Sequence, residues 1–467
     1  MAQSWRSNLG SWLHLSASLG ALFLADFVCR LMCRAAGVTF PSALLGMFIL
    51  LATLLVVSGG SQPAADGLHA FFTPALGFIH HYMAMFYAPL LITLPQNAHT
   101  LIGPLLPRII VLIVVGVGGS IFVTGQIITA IRKQTMKSEE RDGHGSLPTT
   151  PTSARSLLGS RLNSGTDSFE GADPRPGSSS TAHLPPELVA SLWGVVAMFA
   201  AAGVLASDVV VEQLFTQQLF QNVAMLAATV TAYTAGMAAP AMLRRHGLEK
   251  LNFVHPVLYC GIGTNVAGAV MGAISNTSHN AIMIEYTAPG GGGALLLKFL
   301  GVIILSFGFR LFEQRRLIAA HAPEVLGGVS LSVWFSLLST AVGGKLLGLP
   351  PEVTRAVIPR SVTAALGLPI AESLGAPLPV TAAAIVCTGM VGAAMARPLL
   401  NWSGVTDPLA RGISAAASAH GMATAALGTA EPDTLPFAAL GYCLAGVFAT
   451  ALCQLAPVRQ LLLAITS

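Results

Sequence analysis

Four side chains with chemistry to offer sit in the apolar last third of this sequence: Arg360, Glu372, Arg411 and His420. An ionisable group inside a hydrophobic run is costly, and it marks a binding or relay site by default. Around Arg360 the stretch "VIPRSVTAALGLPIAESLGAPLPVTAAAIVCTG" carries Pro359, Pro369, Pro377 and Pro379 with Gly367 and Gly375, so a continuous helix is not expected there. An interrupted helix bares backbone N–H and carbonyl groups, and its free N-terminus carries partial positive charge. Arg360 adds a full charge and a planar fork that matches a carboxylate. The chemistry is therefore the binding of a small anion, with hydroxyls from Ser361, Thr363, Thr381 and Thr388 in support.

A second concentration is "DPLARGISAAASAHGMATAALG". Asp407-Pro408 forms an acidic helix start, Arg411 lies in its first turn, and Ser418, His420, Gly421 and Thr424 follow. Histidine titrates near neutral pH, which suits a proton-coupled carrier. The expected substrate-binding set is Arg360, Ser361, Thr363, Thr381, Thr388, Arg411, Ser418 and Thr424. Glu372 and His420 are expected to couple protons, Glu372 by pairing with an arginine as well. Pro359, Pro369, Gly375 and Gly421 are expected to break helices. Plainer readings stand beside these. Arg360 can snorkel to an interface, serines and threonines can bond their own backbone, and His420 can be a neutral ring bonding a carbonyl.

Other signals are weaker. His80-His81 have no carboxylate or cysteine nearby in the sequence, and "CGIGTNVAG" (Cys260 to Gly268) lacks the lysine of a phosphate loop. Small residues packing helices account for it better. The six cysteines form no ligand set. No catalytic residue, metal or cofactor is expected, and no motif of an enzyme is present.

These residues need elements to hold them, and composition says which kind. Hydrophobic residues make up 53% of the chain and charged residues 9%, against about 25% charge in ordinary soluble domains. Such a surface must face lipid, so the fold class is all-α, a polytopic bundle of about 12–13 spans, some interrupted, each near the ~20 residues that cross a bilayer. Spans are predicted near 11–33, 41–58, 70–94, 107–131, 187–206, 221–243, 252–275, 293–312, 327–348, 356–375, 378–400, 407–428 and 435–457. The first reads as uncleaved. Residues 1–131 form one membrane module and 187–467 another. Between them, 132–186 is rich in Ser, Pro, Gly and charge and is expected to be a disordered linker. Positive loops after the fourth, sixth and eighth spans place the N-terminus and linker on the cytosolic side. No basic patch interleaved with aromatics suggests nucleic acid.

The motifs "PRSVT" (Pro359 to Thr363), "AESLGAPLPVTAAAIVCTGMVGA", "DPLARG" and "SAHGMATA", in this order, resemble the LrgB/CidB family of membrane proteins over about residues 295–457. The first module resembles the partner LrgA/CidA family, through "PSALLGMFILL" and "MAMFYAPLL". The fused order is similar to that of plastidal glycolate/glycerate translocators, while bacterial pairs are linked to holin-like control of autolysis and some to pyruvate uptake. The resemblance implies a carrier of short 2-hydroxy or 2-oxo monocarboxylates such as glycolate, glycerate or pyruvate. The alternative is a holin-like pore or a regulator of membrane integrity. By position it also puts Arg360, Ser361, Thr363, Glu372, Arg411, Ser418, His420 and Thr424 on family motif residues. The chain departs from the usual Leu-Gly-Pro-Ala-Thr at Leu300-Gly301-Val302-Ile303-Ile304. The expected partners are a small organic acid and the lipid bilayer of a plasma or organelle membrane, with room left for a homo-oligomer.

Overall fold

The computed structural model describes residues 2–37, 40–94, 103–142, 193–194, 196–197, 200, 214–245 and 255–467. Among them there is no strand. The helices are α1 (Ala2–Ala35), α2 (Ser42–Gly60), α3 (Gln62–His81), α4 (Met83–Ile92), α5 (Leu106–Asp142), α6 (Leu214–Arg245), α7 (Pro256–Ile274), α8 (His279–Thr287), α9 (Gly292–Leu297) and α10 (Phe299–Glu313). They continue with α11 (Arg315–Ala320), α12 (Gly328–Leu346), α13 (Pro351–Val357), α14 (Ala364–Ser373), α15 (Leu378–Trp402), α16 (Pro408–Ala430), α17 (Leu435–Gln454) and α18 (Ala456–Thr466).

Ten helical segments of the described residues are long and apolar enough to cross a bilayer. This is an all-α, multi-pass integral membrane protein. Its outward side chains agree: Leu258, Ile262, Val266 and Val270 recur every fourth residue along α7 and are all exposed. That spacing lays one apolar stripe along one side of a helix, a surface for lipid.

The contacts divide the chain into two compact units that interleave in sequence: 1–81, 101–179 and 301–467 form one, and 82–100 with 180–300 form the other. In the smaller unit α6 and α7 pack closely, because a Cβ on Gly263 would lie 2.6 Å from that of Ala232. Polar ties complete it. Thr264 donates to Thr229 Oγ1 at 3.3 Å, Tyr286 shares a 3.0 Å bond with the same hydroxyl, and Asn265 Nδ2 donates to the Ile92 carbonyl at 3.0 Å.

In the larger unit α5 packs on α12, α15 and α16. Small residues allow the approach, since lipid gives apolar side chains no reason to associate and packing must do so. Arg132 near the far end of α5 reaches Asp407 at 3.1 Å, the residue that caps α16 by accepting from the Ala410 N–H at 3.3 Å. At the other flank, α3 is tied to α10: His80 shares a 3.1 Å bond with Ser306, and Arg310 lies 3.2 Å from the other ring nitrogen.

Several spans differ from expectation. The third begins at Gln62 and breaks at Tyr82. The stretch expected as one span over 293–312 is preceded by α8 and split into α9 and α10 at Lys298. Helix α5 does not stop at 131 but continues through the charged start of the linker to Asp142. Residues 143–186 of the expected linker, and most of the expected span 187–206, lie outside the described residues.

Candidate functional site

The proline-rich stretch folds as two short helices separated by a break. Pro351 opens α13 at a position where a missing N–H costs nothing. After Val357 a 3₁₀ turn, Ile358–Ser361, replaces the helix, consistent with Pro359 having no N–H to donate. Val362 and Thr363 are extended, and α14 then starts at Ala364. No side chain caps α14, so its first N–H groups face the break. Gly375, at φ +65°, closes α14 and turns the chain into α15. The 3₁₀ turn packs on α12, α15 and α16.

Arg360 projects from that turn and is wholly buried. Its Nε donates to Thr340 Oγ1 of α12 at 3.1 Å, and Nη2 donates to Ser120 Oγ of α5 at 3.3 Å. Gly116, one turn before Ser120, lies flat against the guanidinium: a Cβ there would sit 2.5 Å from Nη2 and 2.8 Å from Cζ. Among the described residues Nη1 has no hydrogen-bond partner and no carboxylate pairs with Arg360. Both partners that do bond it are neutral hydroxyls. A buried cation without a countercharge is costly, and its bare donors are what an anion would complete.

A second break faces the same bundle. Helix α16 is interrupted at Ala419 (φ −151°, ψ 36°) and His420 (φ 45°, ψ −145°). For a side chain larger than glycine the His420 conformation is strained, by about 1–3 kcal/mol. Helix α15 makes room for it with Gly389, whose Cβ would come within 2.6 Å of the imidazole, and with Gly392 beneath Ala419. His420 Nε2 lies 2.9 Å from the Ile385 carbonyl of α15. A carbonyl only accepts, so Nε2 carries the proton and Nδ1 is left with a free lone pair. Among the described residues that atom has no partner, and neither do the buried hydroxyls of Thr124, Thr388, Ser414 and Ser418. Thr388 shares the Ile385–Gly389 face of α15. Ser414 lies by Gly125 of α5, where a Cβ would stand 3.3 Å from its Oγ. Buried polar atoms normally have partners; here several orphans gather on α5, α15, α16 and the Arg360 turn.

The other expected site residues divide. Ser361 is buried and accepts a 2.9 Å bond from Ser336. Thr363 is buried at the head of α14 without capping it. Thr381 bonds its own helix at Pro377 O, 3.3 Å, and Thr424 bonds the His420 carbonyl at 3.0 Å. Pro359 and Gly375 stand at helix ends, Pro369 lies within α14, and the α16 break falls at Ala419 and His420, just before Gly421.

Two expectations do not fit. Arg411 is not open to a ligand. Its guanidinium donates to both Glu431 oxygens (2.7 and 2.6 Å), to the Val405 carbonyl (2.7 Å) and to Asn401 Oδ1 (2.8 Å), so it is consumed by structure. Beyond the helix end, those bonds hold the Glu431 carboxyl below its usual range despite burial that pushes the other way, with Arg397 at 3.2 Å assisting. Glu372 pairs with no arginine among the described residues: it is exposed on the last turn of α14, at the end of the broken segment rather than at its middle. Gly116, Ser120, Thr124, Ser336, Thr340 and Ser414 escaped sequence reasoning because small and hydroxyl residues are ordinary in membrane helices. The structure also shows an intramembrane acid that sequence reasoning passed over: Asp26 of α1, buried, paired with Arg30, with Gly301 leaving room for both. Among the described residues no group of three His, Cys, Asp or Glu side chains is placed to hold a metal ion.

Comparison with known proteins bears on the same region. The model of the LrgB-like family matches residues 229–458, which include both breaks. Over 457 residues the chain is 33% identical to "Plastidal glycolate/glycerate translocator 1, chloroplastic" of Arabidopsis thaliana, covering 97% of this chain and 81% of that relative. No solved structure matches.

Proposed function

This chain belongs to the LrgB-like family, and we propose that it is a secondary carrier of short 2-hydroxy or 2-oxo monocarboxylates, glycolate, glycerate and pyruvate among them, bound through Arg360. That it is a multi-pass transporter rests on its spans and on its relative's named activity. The substrate class rests on one observation: a buried guanidinium whose Nη1 is unpaired and which no carboxylate neutralises. A substrate carboxylate would supply the missing charge and acceptors, and charge-assisted bonds of this kind are the strong ones. Arg360 offers one positive charge, since Arg411 is already neutralised by Glu431. One charge favours a monoanion, because a second carboxylate would enter the bundle uncompensated. The hydroxyls of Thr388 and Ser418 and the α14 N-terminus supply further polar contacts for a small, oxygen-rich ligand.

Proton coupling is proposed at His420. Its free Nδ1 can take a proton while Nε2 stays bonded to Ile385, so the ring need not move to change charge. The strained break at residues 419–420 gives α16 a place to bend as access alternates.

The test is counterflow of labelled glycolate, glycerate and pyruvate into proteoliposomes, wild type beside Arg360→Ala. Saturable exchange that the variant loses is the expected result. Nonselective leakage of a dye with no saturation would replace the carrier with a pore. For the coupling, an imposed proton gradient should drive uptake in wild type and fail to drive it in His420→Gln. Carboxylate current without proton movement would sink that part.

A further inference from the structure

We infer that the face of α5 bearing Gly116, Ser120 and Thr124 is a wall of the carboxylate site, so that the N-terminal part of the chain builds the site jointly with the C-terminal part. The inference rests on the Arg360 reading above and extends it to a helix that precedes the residues matched by the family model, 229–458.

The three residues are spaced by four, which puts them on one side of a helix over about two turns. Gly116 lies against the guanidinium, Ser120 accepts from Nη2 at 3.3 Å, and Thr124 is buried with an unpaired Oγ1. The next residue, Gly125, stands beside Ser414 of α16, another unpaired hydroxyl. Five residues of helix rise about 7.5 Å, so α5 runs from Arg360 toward Ser414 over a distance that a small organic acid covers with a hydrogen bond at each end. The packing of α5 on α12, α15 and α16 keeps this face inside the bundle.

Within the wall the residues have separate parts. Gly116 and Ser120 position Arg360 rather than touching substrate. A guanidinium resting on a glycine and held at Nε and Nη2 presents Nη1 in one direction. Without either hold it would retain its charge and lose its aim. Thr124, whose hydroxyl has no protein partner, is the α5 residue placed to meet the ligand itself. This gives the N-terminal part a role in binding in addition to support.

The experiment uses the full chain in proteoliposomes with glycolate as the probe. Ser120→Ala should raise the KM for counterflow by about tenfold, the order expected for one charge-assisted bond, while the maximal rate stays within twofold. Ser120→Thr should restore the wild-type KM, which a packing defect would not. Thr124→Cys is then labelled with a small charged methanethiosulfonate, and labelling at residue 124 is quantified by mass spectrometry. Glycolate should slow it several-fold and chloride should not.

Unchanged KM in Ser120→Ala, or labelling of residue 124 that is absent or indifferent to glycolate, would overturn the α5 wall. If those failures came with exchange still lost in Arg360→Ala, the carboxylate site would stand and only the wall would fall. Saturable exchange surviving in Arg360→Ala would bring down the site reading itself. Should Ser120→Ala fail to yield folded protein, the glycolate protection of residue 124 decides the matter alone.

Discussion

Replacing Arg360 with methionine separates a binding residue from a structural one, because the two roles predict opposite signs. Arg360 makes two bonds, to Thr340 at 3.1 Å and to Ser120 at 3.3 Å, and leaves Nη1 bare inside the protein. Methionine removes the charge, fills much of the same volume and adapts to irregular space. The orphaned hydroxyls can turn to carbonyls of their own helices, as serines and threonines in this chain commonly do. What remains is relief from a desolvated and unneutralised charge. Substitution of well-packed apolar residues for buried charges is neutral or stabilising by about 1–4 kcal/mol. The ligand-free variant should therefore unfold at the same temperature as wild type or a few degrees higher. Glycolate at 100 times the wild-type Kd should stabilise wild type by about 2.7 kcal/mol and the variant by less than about 1 kcal/mol. Loss of a buried charged partner costs binding about 2–5 kcal/mol, or roughly 30- to 5,000-fold in affinity. Thermal unfolding of the detergent-purified protein, with and without glycolate, reads both effects. A variant that melts several degrees below wild type without ligand, or one that glycolate shifts as far as wild type, would refute the reasoning.

Three further outcomes follow from the same geometry. Glu431→Gln should destabilise by about 1.5–3 kcal/mol at neutral pH, since it removes charge from bonds that hold Arg411. The Glu431 carboxyl is held below its usual range, so its contribution is complete above the ordinary carboxylate pKa and is lost as pH falls through the lowered value; melting curves of wild type and variant should converge in acid. At the strained break, His420→Gly should be more stable than His420→Ala by about 1–2 kcal/mol, because only glycine accepts φ 45° with ψ −145° at no cost; equal melting temperatures would mean the break is not strained. Glu372→Gln should leave the rate of glycolate exchange and its pH profile within twofold of wild type, and a lost pH dependence would return Glu372 to the coupling pathway.

How legible these features were in sequence depended on the range of the physics behind them. Most of the expected spans could be placed because bilayer thickness acts on about 20 contiguous residues, and Pro359 and Gly375 signal their breaks through their own backbones. Arg360 could be singled out because a charge beside such a break has few inexpensive explanations. Arg411 looked equivalent, yet its partner Glu431 lies twenty residues on, past the end of α16, and nothing local announces the pairing. Glu372 was misjudged because depth was measured along an apolar run. In a broken segment depth is measured from the break, which puts Glu372 at the end and Arg360 in the middle. Ser120 is 240 residues from Arg360 in sequence, so only folding could reveal that the two are in contact.

The unsatisfied atoms are themselves an argument against a purely structural account of this bundle. Elsewhere in the larger unit many buried polar groups are closed into local bonds, Ser332 to Gly328, Thr450 to Leu366 and Gly446, and Arg411 at every nitrogen, while Asp26, Gln314 and Glu324 each keep one open oxygen. The chain therefore can satisfy buried polar groups when only stability is at issue. Around the two breaks it leaves Arg360, Thr388, Ser414, Ser418 and His420 each with an open position and holds a histidine in a conformation that suits glycine. Stability alone would replace these residues with apolar ones and would straighten α16. A site that must bind and release a charged ligand has the opposite requirement. Its donors must stay uncommitted in the empty protein, and its helices must keep a place to bend. The cost of that arrangement is borne by the surrounding packing of α5, α12, α15 and α17, where small residues bring the helices close enough to hold the breaks in place.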